Sequence, residues 1–247
     1  MSSAHSPLPW LAPGERFPPV TSALGEDSPY PGLLCAGGVL DIPTLTQAYR
    51  LGIFPWFSPG QPVLWWSTSP RLVLEPKRFR LHRSLRKTLQ TGLSSGRLEV
   101  RFDSATPAVI EACAHTPRPG QSGTWIVPSM VQAYQDWHQA GGVHSVETWW
   151  DGECVGGLYA VQLGRMVFGE SMFSRRSDAS KIALAGLVAW SLRHEIPLID
   201  CQQATPHLMS LGAHTIARAV FVQHVTQAVQ SPAPPWVFAP DDWSFLY

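Results

Sequence analysis

The chain of 247 residues is long enough for one large or two small domains, and its hydrophobic fraction of 45% excludes general disorder. Lys and Arg total 18 and Asp and Glu total 18, and this zero net charge excludes a protein that coats nucleic acid, although not a local basic patch. No run of about 18 apolar residues is present, which excludes a membrane-spanning helix, and residues 1–19 lack the basic start and apolar stretch of a secretory signal.

The first half of the chain predicts short elements between loops. Asp41 to Leu51 has Leu45, Ala48 and Tyr49 at helical spacing, so we expect a helix there. Two prolines and two glycines indicate a loop over 52–60. Strands are predicted over 63–67 and 72–75, and helices over 84–89, from Asp103 or Ser104 as the cap to Ala114, and over 128–140 up to the glycine pair 141–142.

The second half predicts a different architecture. A β-hairpin is expected over 144–163 with its turn at Asp151-Gly152, followed by a strand at 165–169. A long apolar helix over 179–194, a short buried strand over 198–201 and a late helix over 220–230 complete it. This order predicts an α+β fold. We expect a small N-terminal α/β domain over 1–95, packed on a C-terminal domain over 96–247.

The four cysteines are Cys35, Cys113, Cys154 and Cys201, and they lie far apart in the sequence. Because none forms a CxxC pair, we expect no zinc and no other metal. Separate free thiols are typical of a reducing compartment, so we expect a cytoplasmic location.

Polar residues end two apolar segments. Asp200 and Gln202 follow Leu198-Ile199, and a strand would present them on one face at its end, where ligands gather. The structural alternative is an Asp that caps the next turn and a Gln that bonds the backbone. Glu170 follows Gly169 among aromatic residues, and a carboxylate there needs a partner or a function. Its alternative is a purely structural hydrogen bond.

Two further patterns suit nucleic acid. A basic stretch without any acid is suited to phosphate contacts, and its structural alternative is a solvated face. Its Lys and Arg members are Lys77, Arg78, Arg80, Arg83, Arg86 and Lys87. Tryptophans in loops can stack on the bases of an unpaired 3′ end, although core packing is the usual role of Trp. The candidates are Trp56, Trp65, Trp66 and Trp125.

An ordered set of motifs over about residues 17–218 closely resembles the leucyl/phenylalanyl-tRNA–protein transferase family. The resemblance includes Gly52-Ile53-Phe54-Pro55-Trp56, Leu64-Trp65-Trp66-Ser67, Pro70-Arg71, Thr124-Trp125-Ile126, His144-Ser145-Val146-Glu147, Gly169-Glu170-Ser171-Met172-Phe173-Ser174, Ala179-Ser180-Lys181 and Asp200-Cys201-Gln202. The chain departs from the family pattern at Val39, where an acid is usual, and at Ala217 and Ala219, which flank Arg218 where Pro and a second Arg are usual. The first departure should affect a loop, and the second should weaken one nucleic-acid or structural contact.

The resemblance implies a C-terminal domain similar to the N-acetyltransferases (GNAT-like). The acetyl-CoA pyrophosphate loop is missing, because the corresponding turn reads Arg175-Arg176-Ser177-Asp178-Ala179-Ser180-Lys181. The implied reaction needs no cofactor. The α-amine of an N-terminal Arg or Lys attacks the ester of Leu-tRNA or Phe-tRNA, and of Met-tRNA less well, which marks the acceptor protein for N-degron degradation. A monomer without membrane contact is expected.

The same resemblance implies roles for individual residues. Gln202 would accept a hydrogen bond from the attacking amine, Asp200 would assist the departure of the proton, and Glu170 would orient Gln202 or hold the acceptor. The basic stretch would contact tRNA phosphates. The residues implied at the aminoacyl-tRNA 3′ end are Tyr49, Trp56, Trp125, Leu158 and Val167.

Three rival functions remain open at this point. The first is an acyl-CoA-dependent N-acyltransferase on the same fold, which the missing pyrophosphate loop disfavours. The second is a leucyltransferase that acts on N-terminal Asp or Glu, for which the acidic residues Glu170 and Asp200 are unsuited. The third is a non-catalytic tRNA-binding module, which would not need Asp200, Gln202 and Glu170 together.

Overall fold

The computed structural model describes residues 8–116 and 126–247, and their strands form two sheets. The smaller sheet has the strand order β1-β2-β4-β3, in which β1 and β2 are parallel and the other pairs are antiparallel. Its strands are β1 (Trp10–Leu11), β2 (Leu33–Gly37), β3 (Phe54–Pro55) and β4 (Leu64–Trp66).

Helix α1 (Ile42–Arg50) connects β2 to β3. The Asp41 carboxylate accepts a hydrogen bond from the Thr44 N–H and caps its first turn. Leu45, Ala48 and Tyr49 are its buried residues, which confirms the predicted helix and its buried face.

The larger sheet has seven strands in the order β11-β5-β10-β9-β8-β7-β6. Strand β10 runs parallel to β9, and the other neighbouring pairs are antiparallel. Its strands are β5 (Arg71–Leu74), β6 (Leu98–Phe102), β7 (Val143–Trp150), β8 (Glu153–Leu163), β9 (Met166–Ser174), β10 (Ile199–Asp200) and β11 (His214–Ile216).

Helices cover both faces of this sheet. The remaining helices are α2 (Arg83–Ser94), α3 (Thr106–His115), α4 (Pro128–Gln139), α5 (Ala179–Arg193), α6 (Pro206–Ser210) and α7 (Arg218–Ala228), and short 3-10 turns cover 20–22, 76–78 and 240–246. In the described ranges no helix is both long and apolar enough to cross a membrane.

Helix α5 is apolar around most of its circumference because it is enclosed. One side packs on the sheet, and the C-terminal segment 231–247 covers another side. The indole of Trp190 donates a hydrogen bond to the main-chain oxygen of Pro235, and its ring packs against Trp236. The tail thereby completes the core around α5.

The side chains of neighbouring residues in β8 and β9 belong to two different cores. Leu158 and Val167 pack with α5, and we call their side of the sheet the α5 face. Tyr159 and Phe168 pack in the core that contains α1, α3, α4 and the smaller sheet, and we call that side the α4 face. The α+β fold, with a small N-terminal sheet packed on a larger α/β layer, confirms the predicted fold class.

The order of hairpin, third strand, long helix and short strand is also as predicted. The two sheets divide between Trp66 and Arg71, well before the predicted domain boundary after residue 95, which stays a prediction. Strands β1, β2, β3, β6 and β11 and helix α6 were not predicted from the sequence, and β3 lies within the segment predicted as a loop. Several of these are too short for a periodic signal and exist through pairing with distant residues.

The predicted cap of α3 is wrong. Asp103 has a φ of 54°, and its carboxylate accepts a hydrogen bond from the Ser145 N–H and contacts His144 at 2.6 Å. Helix α3 begins after Ala105, which has no side-chain cap, and the buried Glu147 carboxylate accepts from the N–H groups of Ser104 and Ala105, just before the helix, at 3.3 and 3.4 Å. A carboxylate from the neighbouring strand β7 therefore lies at the N-terminus of α3, where the helix dipole favours a negative charge.

Candidate active site

Asp200 ends β10 with a carboxylate that is buried and fully engaged. The Nε of Arg71 donates to Oδ1 at 2.8 Å and its Nη2 donates to Oδ2 at 2.7 Å. The main-chain N–H of Gln202 also donates to Oδ1, at 3.0 Å. The exposed fractions of the Arg71 and Asp200 side chains are 1% and 0%. A buried carboxylate persists only with such partners, so the ion pair is part of the fold at this strand end.

Arg71 is a site residue that the sequence reasoning missed. Its guanidinium lies between the rings of Phe54 and Phe221, 4.6 and 4.5 Å from their centroids. Phe54 belongs to β3 of the smaller sheet and Phe221 to α7, so one guanidinium joins both sheets to Asp200. No local pattern marks this role, and its place in the Pro70-Arg71 motif was the available signal.

Gln202 is positioned by a turn and not by the pleat of a strand. Strand β10 ends at Asp200, and Gln202 has a left-handed φ of 52°, which corrects the expectation that both extend from one strand face. Its main-chain oxygen accepts from the Leu72 N–H at 3.2 Å and from the Thr68 Oγ1 at 3.3 Å. Together with the bond to Asp200, these contacts hold an uncommon backbone conformation.

Glu170 sits at an irregularity in the ladder between β8 and β9. Tyr159 is opposite Ser171 and Ala160 is opposite Gly169, so Glu170 is an extra residue without a partner on β8. Such a β-bulge bends the strand and redirects a side chain, often beside an active site. Here it turns the partly buried Glu170 carboxylate toward the α4 face, next to Gln202.

The Glu170 carboxylate bridges Gln202 and two buried tyrosines. The Gln202 Nε2 donates to Oε1 at 3.4 Å, and the Tyr134 hydroxyl donates to Oε2 at 3.2 Å. The hydroxyls of Tyr134 and Tyr49 are 2.7 Å apart. The predicted proximity of Glu170, Gln202 and Asp200 is therefore observed, while the two tyrosines come from α4 and α1, far away in the sequence.

Burial raises the pKa of Glu170 from its ordinary value of 4.5 to about 8. Hydrogen bonds from Tyr49 and Tyr134 and the charge of Arg71 lower the pKa, and the charge of Asp200 raises it further. Burial also raises the pKa of both tyrosines well above 10, so their hydroxyls stay protonated donors. Glu170 thus exchanges its proton close to neutral pH, in the range suited to general acid–base chemistry.

Glu170→Gln is expected to make the protein more stable at alkaline pH. Because the folded pKa of about 8 exceeds the ordinary 4.5, the folded state binds the proton more tightly than the unfolded state. The wild type therefore loses stability progressively as the pH rises from about 4.5 to about 8, whereas glutamine does not titrate. At about pH 9 the variant should gain on the order of 2 kcal/mol over the wild type, and at about pH 4 little. Urea unfolding across this pH range measures the difference in free energy of unfolding between the variant and the wild type. A difference that is the same at all pH values would contradict the expectation.

The residues implied at the 3′ end of aminoacyl-tRNA are placed differently. Trp56 is partly buried, with its ring 5.2 Å from the ring of Trp66. Trp125 lies outside the described residues. Tyr49 is fully buried and touches Glu170 through its hydroxyl, so its ring has no face free for a base. Trp65 and Trp66 are buried core residues, as the packing alternative supposed.

Leu158 and Val167, the candidate lining for the donor side chain, lie on the α5 face. Both are buried among the apolar side chains under α5, and Val167 is the direct strand partner of Ile199, next to Asp200. A donor pocket there would lie just behind the end of β10. It would have to open between side chains that are in contact in this structure, and the lining stays a prediction.

All six Lys and Arg side chains of the basic stretch are exposed. Arg78 lies 3.8 Å from Glu75 and 3.3 Å from His214, and His82 is 2.9 Å from the main-chain oxygen of Ser210. The stretch follows the end of β5 opposite to Arg71, so it extends away from Glu170 along α6 and β11. A long polyanion would be needed to contact the basic stretch and also reach Glu170.

Arg83→Ala and Lys87→Ala are each expected to raise the KM for aminoacyl-tRNA by about 3–10-fold and to lower its salt slope by about 1. Each removes an exposed cation, while activity on a minimal donor such as aminoacyl adenosine should hardly change. Arg16→Ala, an exposed cation in the N-terminal region, is the matched control. Equal losses with the long and the minimal donor would instead mean that the stretch is structural.

A separate open cavity of about 680 Å³ lies where the β7–β8 hairpin meets the end of β9, and its lining includes Trp149, Arg175 and Arg176. Arg175 lies 5.3 Å from the ring of Phe173 and Arg176 lies 4.1 Å from the ring of Trp150. Lys181 pairs with Asp178 at 2.8 Å.

Among residues 8–116 and 126–247, no group of three or more His, Cys, Asp or Glu is arranged to hold a metal ion.

Comparison with known proteins identifies relatives along nearly the whole chain. The sequence model described as leucyl/phenylalanyl-tRNA protein transferase matches residues 73–226, and that of the N-terminal domain of the same proteins matches residues 38–69. A leucyl/phenylalanyl-tRNA–protein transferase of Polaromonas sp. (strain JS666 / ATCC BAA-500) is 60% identical, over 98% of this chain and 95% of the relative. One of Leptothrix cholodnii is 58% identical, over 97% and 95%.

Solved structures align with part of the chain at low similarity. A GCN5-related N-acetyltransferase from Kribbella flavida aligns with 67% of this chain and 57% of its own, at 12% identity and a TM-score of 0.35. The structure of L-PGS from Bacillus licheniformis aligns with 69% of this chain and 54% of its own, at 11% identity and a TM-score of 0.39.

Proposed function

The chain belongs to the leucyl/phenylalanyl-tRNA–protein transferase family, and on that premise we propose that it moves Leu or Phe, and Met less well, from aminoacyl-tRNA to the α-amino group of a protein that begins with Arg or Lys. The α-amine attacks the ester carbonyl, an amide replaces the ester, and the tRNA leaves. An ester is less stable than an amide, so the reaction needs neither ATP nor a cofactor.

The observation that carries this proposal is the meeting of Gln202, just after the end of β10, with Glu170 at the bulge of the parallel strand β9. Both side chains are partly exposed, and the Gln202 amide nitrogen already donates to Glu170. The amide oxygen of Gln202 is therefore directed away from Glu170 and suits an incoming N–H donor. A free α-amine has a pKa of about 7.7–8.0, so an unprotonated nucleophile is available with little assistance.

The electrostatic reason for a cationic acceptor differs from the one that the sequence suggested. The charge of Asp200 is compensated by Arg71, so Asp200 offers no net attraction. Glu170 is the acidic side chain beside Gln202 with an exposed part, and a cation beside it favours its ionised form. At an effective dielectric of about 20, unit charges about 4 Å apart gain about 4 kcal/mol before desolvation, and a quarter of this suffices for several-fold selectivity.

A peptide series that varies the first residue tests this function. Radiolabelled Leu-tRNA is incubated with the full chain and with peptides that begin with Arg, Lys, citrulline, Ala, Asp or Glu. We expect transfer to Arg and Lys, and several-fold less to citrulline, the uncharged analogue of Arg. The ratio of Arg to citrulline should rise between about pH 7 and pH 9, because more Glu170 is ionised at the higher pH.

The rival functions give different results in the same assay. A preference for Asp or Glu would identify an acidic-acceptor transferase. Binding of Leu-tRNA without transfer to any peptide would identify a tRNA-binding module. Acylation of a peptide by an acyl-CoA would identify an N-acyltransferase.

The product begins with Leu or Phe in front of the original Arg or Lys. We propose that this apolar N-terminus marks the acceptor for N-degron degradation, that the enzyme works as a cytoplasmic monomer, and that the basic stretch holds the tRNA through its phosphates. Mass spectrometry of a reporter protein that begins with Arg, with and without the enzyme, tests the modification and the following loss of the reporter together.

A further inference from the structure

Two carboxylates lie beside Gln202, but only one of them can receive a proton from substrate. Both oxygens of Asp200 are occupied, Oδ1 by Arg71 Nε and the Gln202 N–H and Oδ2 by Arg71 Nη2. The Asp200 side chain has no exposed surface. A general base must come within hydrogen-bond reach of the proton that it removes. Asp200 could do so only after its ion pair with Arg71 had opened.

Glu170 meets the geometric requirement. It is partly exposed at the bulge of β9, and its Oε1 lies 3.4 Å from the Gln202 Nε2. An amine that donates to the Gln202 amide oxygen would therefore lie next to the Glu170 carboxylate. The other oxygen, Oε2, accepts a hydrogen bond from the Tyr134 hydroxyl at 3.2 Å. The Tyr49 hydroxyl lies 2.7 Å from the Tyr134 hydroxyl.

We infer that Glu170 receives the proton of the attacking α-amine, and that Asp200, clamped by Arg71, is a positioning residue that fixes Gln202. This assignment rests on the proposed aminoacyl transfer. The amine nitrogen forms a bond to the ester carbonyl carbon, and the bond from that carbon to the ribose 3′ oxygen breaks. The nitrogen passes one proton to Glu170. The departing oxygen takes up one proton, and Glu170 returns to the carboxylate by releasing the proton it received.

The charged and titratable groups around Glu170 suit a carboxylate that changes its protonation state in each cycle. Tyr49 from α1 and Tyr134 from α4 hydrogen-bond it, and Arg71 from β5 and Asp200 from β10 act on it at longer range. The first three groups favour the ionised form, while burial and Asp200 favour the protonated form. These opposing influences leave Glu170 with a pKa of about 8, close to that of the amine it would serve.

The pH dependence of kcat/KM for the peptide acceptor at saturating Leu-tRNA tests the assignment, because it reports the complex of the enzyme with Leu-tRNA and the free peptide. Initial rates of Leu transfer to an Arg-starting peptide are measured from about pH 6 to pH 9, with the enzyme-free hydrolysis of Leu-tRNA subtracted. In the wild type, the amine and Glu170 must both lose a proton, so the logarithm of kcat/KM should rise with a slope approaching two below about pH 7.

Four variants separate catalysis from positioning. Glu170→Gln should lower kcat/KM for the peptide by about 100-fold at about pH 8. Its profile should have a slope of one, because the amine alone must lose a proton. Arg71→Lys keeps the charge but not the two hydrogen bonds to Asp200, so it should lower kcat/KM for the peptide by about 10-fold and keep the slope of two. Tyr134→Phe removes a hydrogen bond that lowers the pKa of Glu170, so its profile should level off at a higher pH. Glu26→Gln, an exposed glutamate, should match the wild type.

Other outcomes overturn the assignment. A wild-type slope of one, or a Glu170→Gln variant that keeps the wild-type slope, would remove Glu170 as the proton acceptor while leaving the transferase activity established. A wild-type slope of one together with a change of slope in Arg71→Lys would assign the proton to Asp200, the carboxylate that Arg71 clamps. Absence of transfer by the wild type at every pH would overturn the proposed function and this assignment with it.

Discussion

Arg71→Met should lower the free energy of unfolding by about 3–5 kcal/mol. The substitution keeps an apolar stem between Phe54 and Phe221, but it leaves the Asp200 carboxylate with no exposed surface and without its ionic partner. The cost of an uncompensated buried charge dominates this estimate. Urea unfolding followed by tryptophan fluorescence gives the difference.

Two controls distinguish this explanation from a general loss of packing. Adding Asp200→Leu to Arg71→Met removes both charges and should recover most of the lost stability. Arg97→Met breaks an exposed pair of the same two-point geometry, in which Arg97 donates to Asp151 at 2.8 and 2.5 Å. Because those side chains are 54% and 50% exposed, the loss should be far smaller than that of Arg71→Met. A double variant as unstable as Arg71→Met would contradict the argument.

Gln202→Ala is expected to lower the rate of aminoacyl transfer by about 100-fold or more, with little change in tRNA affinity. The side chain contacts Glu170, and its amide oxygen is the acceptor proposed for the amine. Alanine keeps the main-chain hydrogen bonds to Asp200 and Leu72, so the turn should persist. Single-turnover transfer and filter binding of Leu-tRNA measure the two quantities separately.

The neighbouring Gln203→Ala is the matched control for Gln202→Ala. Gln203 is exposed, and its main-chain N–H donates to the Cys201 oxygen irrespective of the side chain. Its activity should stay within about twofold of the wild type. If Gln202→Ala retained the wild-type rate at saturating substrate, Gln202 would have no part in the chemical step.

Local sequence patterns predicted the polar end of β10 and the carboxylate in β9 because each follows an apolar segment. They predicted α1 and α5 because helical periodicity and apolar length are read over neighbouring residues. Arg71 and the tyrosine pair could not be found in this way. Arg71 meets Asp200, and Tyr49 meets Tyr134, only after distant strands and helices have paired, and nothing in their neighbouring residues records that contact.

Trp65 illustrates the opposite error. In sequence, the pair Trp65-Trp66 beside a Gly/Pro-rich loop suggested exposed rings for stacking on bases. In the structure, Trp65 is fully buried, its indole donates to the Gly37 oxygen at 2.9 Å, and Phe17 packs edge-on against it. The short strand β4 lies between two others, and the core that packs on this sheet covers its tryptophan side chains.

The bulge in β9 makes the number of residues in this strand as important as their identity. Phe168 and Phe173 pack in the same core although they are an odd number of positions apart, which a regular strand does not allow. Deleting or adding one residue between them would reverse the facing of every residue beyond that point. Evolution of this segment should therefore proceed by substitution, and single-codon deletions here should inactivate the gene even where substitutions at the same codons are accepted.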